Sequence, residues 1–85
     1  MKLEPRHIDI NQAITICVDK GLDVSVVQYG KKYSVKVSFD GQDKVFDKMI
    51  YKDRVNSAIK KTWRYFAAKI INNEKIELCQ ISQNQ

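Results

Sequence analysis

Strict alternation of apolar and polar residues over 33–39 is the feature that most restricts the fold of this chain. In YSVKVSF, Tyr33, Val35, Val37 and Phe39 alternate with two serines and a lysine. Successive side chains of a strand point to opposite faces, so this pattern predicts a strand with one buried and one hydrated face. A sheet with one apolar face has to be covered, so the rest of the chain must supply a second layer.

Two further strands are predicted beside this one. Residues 22–29, LDVSVVQY, precede it across a short connection, GKK at 30–32, where the glycine supplies unusual backbone angles. Asp40-Gly41 is a second turn signal. We interpret 44–51, KVFDKMIY, as a third strand, although its alternation is poor.

A first helix is predicted over residues 9–20, DINQAITICVDK. Asp9 is its expected N-cap, and Gly21 supplies the left-handed conformation that ends it. A strand stays open as an alternative, because some of the same residues also alternate. The apolar stripe of the helix consists of Ile10, Ala13, Ile14, Cys17 and Val18.

A second, longer helix follows, with Asp53 as its expected cap and Asn72-Asn73 as its end. Trp63 falls on its core stripe, whereas Tyr65 falls on its outer face and is the better candidate for stacking on a base. The stripe consists of Val55, Ile59, Trp63, Phe66, Ala67 and Ile70.

The order of these elements predicts an α+β fold with the sequence αβββα. Two helices pack on one face of a three-stranded antiparallel sheet, which gives a two-layer structure. The 85 residues form one domain, with a core at about 8–72. Residues 74–85 are a tail that adds either an edge strand or a short helix.

Positive charge is concentrated in the middle of the chain. The formal net charge is +5, but residues 31–69 carry eleven Lys or Arg against four Asp. Such a field attracts polyanions, which are nucleic acid, an anionic membrane or an acidic protein surface. The simpler alternative is a hydrated helix surface, although such surfaces normally mix glutamate with lysine. The candidate contacts are Lys31, Lys32, Lys52, Arg54, Lys60, Lys61, Arg64 and Lys69.

Catalysis, metal binding and cofactor binding have little support. His7 is the single histidine, no C-x-x-C pair is present, and the three glycines are isolated in turns. Charges in MKLEPRHIDI argue against a signal peptide, and no apolar run approaches the ~20 residues of a membrane helix. We expect a cytoplasmic, non-enzymatic protein with free thiols at Cys17 and Cys79.

The pattern resembles the double-stranded-RNA-binding domain. The residues that carry the resemblance are VDKGL at 18–22, YSVKVSFDG at 33–41 and a basic second helix with Ala67-Ala68. The resemblance implies an αβββα fold in which Lys52, Arg54, Lys60 and Lys61 stand where the family has lysines. The loop YGKKY is shorter than the corresponding family loop and lacks its proline and histidine, so one usual RNA contact is missing. A degenerate, protein-binding version of the domain is the alternative.

Two functions from different classes follow from these features. The first is a small non-catalytic nucleic-acid-binding module, for RNA or DNA, that contacts phosphates through the basic helix and the hairpin tip. The second is a protein-interaction module that docks on an acidic partner, by analogy with small regulators or inhibitors encoded by phages and mobile elements. A homodimer formed through the unpaired sheet edge or the tail strand is a third, weaker expectation.

Overall fold

The computed structural model describes residues 4–46 and 48–76. One 3₁₀ turn, at Pro5–His7, precedes the first helix, and another, at Lys52–Arg54, precedes the second. The order of helix, three strands and helix confirms the predicted α+β fold. The tail prediction for 74–85 lies largely outside the described residues. The elements are α1 (Ile10–Asp19), β1 (Asp23–Tyr29), β2 (Lys32–Phe39), β3 (Gln42–Val45) and α2 (Val55–Ile71).

The sheet is antiparallel in the order β1-β2-β3, and both of its hairpins turn over two residues. Gly30 and Lys31 form the first loop, because Lys32 already pairs with Tyr29 as part of β2. The predicted connection at 30–32 was therefore one residue too long, since Lys32 belongs to the strand. In the second loop both Asp40 and Gly41 have positive φ, 52° and 76°. This is the signature of a type I′ turn, whose twist matches that of the strands.

The third strand is shorter than predicted, because its pairing with β2 is interrupted after Val45. Phe46 still donates its amide to the carbonyl of Val35, at 2.9 Å, and Ile50 exchanges two 2.8 Å backbone hydrogen bonds with Tyr33. Three residues therefore separate Phe46 from Ile50, where one residue separates Tyr33 from Val35. This interruption, the 46–50 bulge, explains the poor alternation of 44–51.

Ser34 lies opposite the 46–50 bulge and is fully buried. The alternation in β2 predicted a hydrated side chain at this position. Its Oγ lies 2.9 Å from the carbonyl oxygens of both Phe46 and Lys48, and its single proton serves one of them at a time. The prediction of a wet face failed here because the bulge needs a donor for carbonyls that have left the regular ladder.

The two helices begin differently. The carboxylate of Asp9 accepts the amide of Asn11 at 3.0 Å, which confirms Asp9 as the N-cap of α1. Asp53 does not cap α2, since it lies inside the 3₁₀ turn, and the helix starts after Arg54 without a side-chain cap. Within the turn, the amide of Arg54 donates to the carbonyl of Tyr51 at 2.9 Å, and the amide of Val55 donates to the carbonyl of Lys52.

Both helices share one core with the inner face of the sheet. Phe66 and Val37 are fully buried, and Trp63 is only 7% exposed, which confirms its place in the core. Cys17 joins the helices, since its Sγ lies 3.5 Å from the carbonyl oxygen of Trp63. Burial raises the pKa of the Cys17 thiol from 9.0 to about 11, so the group is neutral and behaves as a small apolar side chain.

Replacing Ser34 with alanine is expected to destabilise the protein by roughly 1–3 kcal/mol, because carbonyls of the bulge lose their buried donor. Urea unfolding followed by circular dichroism measures the change. Ser38→Ala is the matched control, because the Ser38 hydroxyl binds the exposed carboxylate of Asp43. Equal losses in the two variants would contradict a special role for Ser34.

Candidate nucleic-acid interface

The eight predicted contact residues do not share one environment. Arg64 and Lys69 are half-buried. The other six are exposed: Lys31, Lys32, Lys52, Arg54, Lys60 and Lys61.

A cavity of about 400 Å³ opens between α2 and the chain segment that carries the 46–50 bulge. Phe46, Lys48, Met49 and Ile50 line the cavity on the side of that segment. Apolar groups form much of its lining. Among the described residues that line the cavity, every charged one is basic. These residues are Val35, Phe46, Lys48, Met49, Ile50, Tyr51, Arg54, Ser57, Ala58, Lys61, Thr62 and Tyr65.

A second, more open depression of about 560 Å³ lies between α2 and the N-terminal 3₁₀ turn. We call it the groove. Four of its lining residues are basic and one is acidic. The residues are Glu4, Pro5, Arg6, Ser57, Lys60, Lys61 and Arg64.

Lys61 lines both the cavity and the groove, and this shared position joins their cations into one surface. We call this surface the basic band. Helical spacing explains the arrangement, since Lys61 lies about one turn after Ser57 and one turn before Tyr65 on the same side of α2. The band consists of Arg6, Lys48, Arg54, Lys60, Lys61 and Arg64.

Arg64 has a structural contact in addition to its place in the band. Its Nε donates to the backbone carbonyl oxygen of Ile8 at 2.9 Å, which fastens the N-terminal segment to α2. Ile8 is itself buried in the core. Because Nε is already engaged, Arg64 contributes to the electrostatic field of the groove but is less free than Lys60 or Lys61 to reach a ligand.

Two tyrosines that line the cavity each carry a lysine over the ring. The Nζ of Lys32 lies 5.5 Å from the ring centroid of Tyr51, and the Nζ of Lys69 lies 5.2 Å from that of Tyr65. Cations at such distances are attracted to the electron-rich ring face. The first contact brings the hairpin tip at Lys31 and Lys32 close to the cavity.

The tyrosines themselves differ in exposure. Tyr65, predicted to point outward, is half-buried, and its ring meets that of Phe66 edge to face at 5.2 Å. Tyr51 is 62% exposed. Of the two, Tyr51 therefore has the more accessible ring.

Carboxylates do not neutralise the predicted cations within residues 4–46 and 48–76. The ion pairs found there join Arg6 and His7 to Glu4, and Lys36 to Asp43. The hydroxyl of Ser38 and the charge of Lys36 hold the pKa of Asp43 below its usual value. Asp43 lies on β3, in neither the cavity nor the groove. Within the basic band, the ion pair found among the described residues is that of Arg6 with Glu4, at 2.8 Å, so this carboxylate offsets the charge of Arg6.

Sequence reasoning missed two members of the band. Lys48 was assigned to a regular strand, although the broken alternation of 44–51 was a signal of a bulge. Arg6 belongs to a 3₁₀ turn of three residues, and the hydrogen bond from Arg64 to Ile8 fastens the residue that follows this turn to α2. No local pattern predicts such a contact, because it joins residues 56 positions apart.

Neither a metal site nor a membrane span emerges from the described ranges. Residues 4–46 and 48–76 contain no group of three or more His, Cys, Asp or Glu side chains placed to hold an ion. Neither described α-helix has the length and apolar character needed to cross a bilayer. Compared with protein-family models, with curated proteins and with solved structures, the chain has no match in any of the three.

Proposed function

We propose that this chain is a small, non-catalytic nucleic-acid-binding module that holds phosphates on the basic band. Lys60 and Lys61 are its principal contacts, since both are exposed and one helical turn of α2 carries them. Arg54 and Lys52 extend the surface toward the start of the helix. Lys31 and Lys32 extend it toward the hairpin tip.

The observation that carries the proposal is the position of Lys61, which joins the cations of the cavity to those of the groove. Like charges held together cost free energy in the isolated protein, and an approaching polyanion removes that cost. Phosphates spaced along a nucleic-acid strand match an extended row of cations better than a single small anion does.

Binding to a fluorescently labelled oligonucleotide, measured at several salt concentrations, tests the proposal. Each neutralised phosphate is expected to add about −0.7 to the slope of log K against log salt for a single strand, or about −0.9 for a duplex. With four or more contacts, affinity falls steeply between low and physiological salt. Absence of binding to both RNA and DNA at low salt would refute the proposed function.

The protein-interaction alternative draws support from the exposed apolar side chain of Met49, which lines the cavity beside Lys48. An acidic protein partner with an apolar anchor would match this combination. Nuclease treatment separates the two functions, because a protein partner remains bound after treatment and an association bridged by nucleic acid does not.

A further inference from the structure

We infer that the cavity accepts a single unpaired base, with Tyr51 as the stacking surface at its opening, so that the favoured ligand is a single strand. This inference rests on the proposed function and adds to it the class of nucleic acid. The cations of the basic band can contact the phosphates of a single strand or of a duplex. The cavity, in contrast, would accept only a base that is not paired.

The shape of the cavity is the first support. Its volume of about 400 Å³ exceeds what one planar base needs, and it lies within the range of ordinary ligand sites. Val35, Phe46 and Ala58 supply apolar surface for the faces of a base. Ser57 adds a hydroxyl that can bond to polar atoms on a base edge.

The setting of Tyr51 is the second support. Tyr51 is 62% exposed and lines the apolar cavity, so this residue leaves surface in water that a stacked base would cover. The ammonium group of Lys32 lies 5.5 Å from the ring centroid of Tyr51, so a cation stands near the ring that can attract the phosphate of a stacked nucleotide. Tyr51 thus suits the base of a nucleotide, and Lys32 suits its phosphate.

Charge around the opening is the third support. Lys48, Arg54 and Lys61 line the cavity, and none of its described lining residues is acidic. An apolar ligand without charge would gain nothing from these cations. A base joined to a phosphodiester backbone uses the apolar lining and the cations together.

A duplex fits this arrangement poorly. Its bases are stacked and paired, and extruding one of them costs a few kcal/mol. In a single strand the bases are already free to leave the stack, which is why aromatic platforms are typical of single-strand binding. The geometry therefore favours a single strand over a duplex of the same length.

The test measures the affinity of a 12-nucleotide uridine strand and of an RNA duplex of equal length for the whole chain, at one low salt concentration. Tyr51→Ala is expected to weaken single-strand binding about tenfold and duplex binding less than twofold, because stacking contributes about 1–3 kcal/mol per base. Tyr51→Phe keeps the ring and is expected to bind within twofold of the unaltered protein. Tyr29→Ala is the matched control, since Tyr29 is exposed and pairs with Lys32 across the hairpin but does not line the cavity.

A strand with abasic sites completes the design, because it keeps the phosphates and removes the bases. The abasic strand is expected to bind the unaltered protein about tenfold less tightly than the intact strand does. Tyr51→Ala is expected to bind the abasic strand as tightly as the unaltered protein does. If the duplex binds as well as the single strand and Tyr51→Ala changes neither, the base site is refuted while phosphate binding stands. If no oligonucleotide binds, the proposed function fails and the base site fails with it.

Discussion

Replacing Lys60 and Lys61 together with alanine is expected to lower affinity for a single-stranded oligonucleotide about 25-fold at 0.1 M salt. The factor follows from counterion release, because each lost phosphate contact removes about 0.7 from the salt slope and about 0.7 log units of affinity at that concentration. The slope itself should become shallower by about 1.4. Alanine favours the helix, so the fold of α2 is expected to persist. Fluorescence polarisation over a salt series measures both quantities.

The matched control for this double variant is Lys20→Ala with Lys36→Ala, which removes the same net charge. Neither residue lines the cavity or the groove, and Lys36 already pairs with Asp43 at 3.6 Å. If binding responded only to the total charge of the protein, both double variants would lose affinity equally. That result would contradict a localised basic band.

The second large effect concerns stability. Phe66→Ala is expected to destabilise the fold by about 3–5 kcal/mol, because Phe66 is completely buried and its removal leaves a cavity among both helices and the sheet. A domain of this size has a total stability of only about 5–15 kcal/mol, so the variant loses a substantial part of it. The midpoint of thermal unfolding should fall by more than about 10 °C.

Thermal and urea unfolding, both followed by circular dichroism, check this expectation. Phe66→Leu is the control, since it keeps most of the volume and should cost much less than the alanine variant. The outer side of the same helix provides a second comparison in Ser57→Ala, where the side chain is exposed. A loss below about 1 kcal/mol for Phe66→Ala would show that the core does not close around this residue.

The sequence predicted those parts of the fold in which local periodicity and burial agree. The strand β2, the stripe of α2 and the Asp9 cap all depend on neighbours at short separation, and each is present in the structure. Ser34 was assigned to the wrong environment because its burial depends on a bulge 12 positions away in the chain. Local pattern carries no information about that neighbour.

The candidate site shows the same division. Lys60 and Lys61 were identified correctly as exposed, since helical spacing alone places them opposite the core stripe. The contact of Lys32 with Tyr51 joins two elements through the pairing of Tyr33 with Ile50, and the sequence does not specify that register. Arg64 illustrates the limit for charged residues, because a half-buried cation that bonds a backbone carbonyl looks like any other arginine in the sequence.

The short third strand also bears on how copies of this protein meet at high concentration. Exposed strand edges invite other chains to extend a sheet, and long regular edges are the most susceptible. Here β3 offers only four residues before the backbone swings away, and two of them, Asp43 and Lys44, are charged. An incoming strand would find few partners in register, so this edge discourages the open-ended stacking that leads to aggregation.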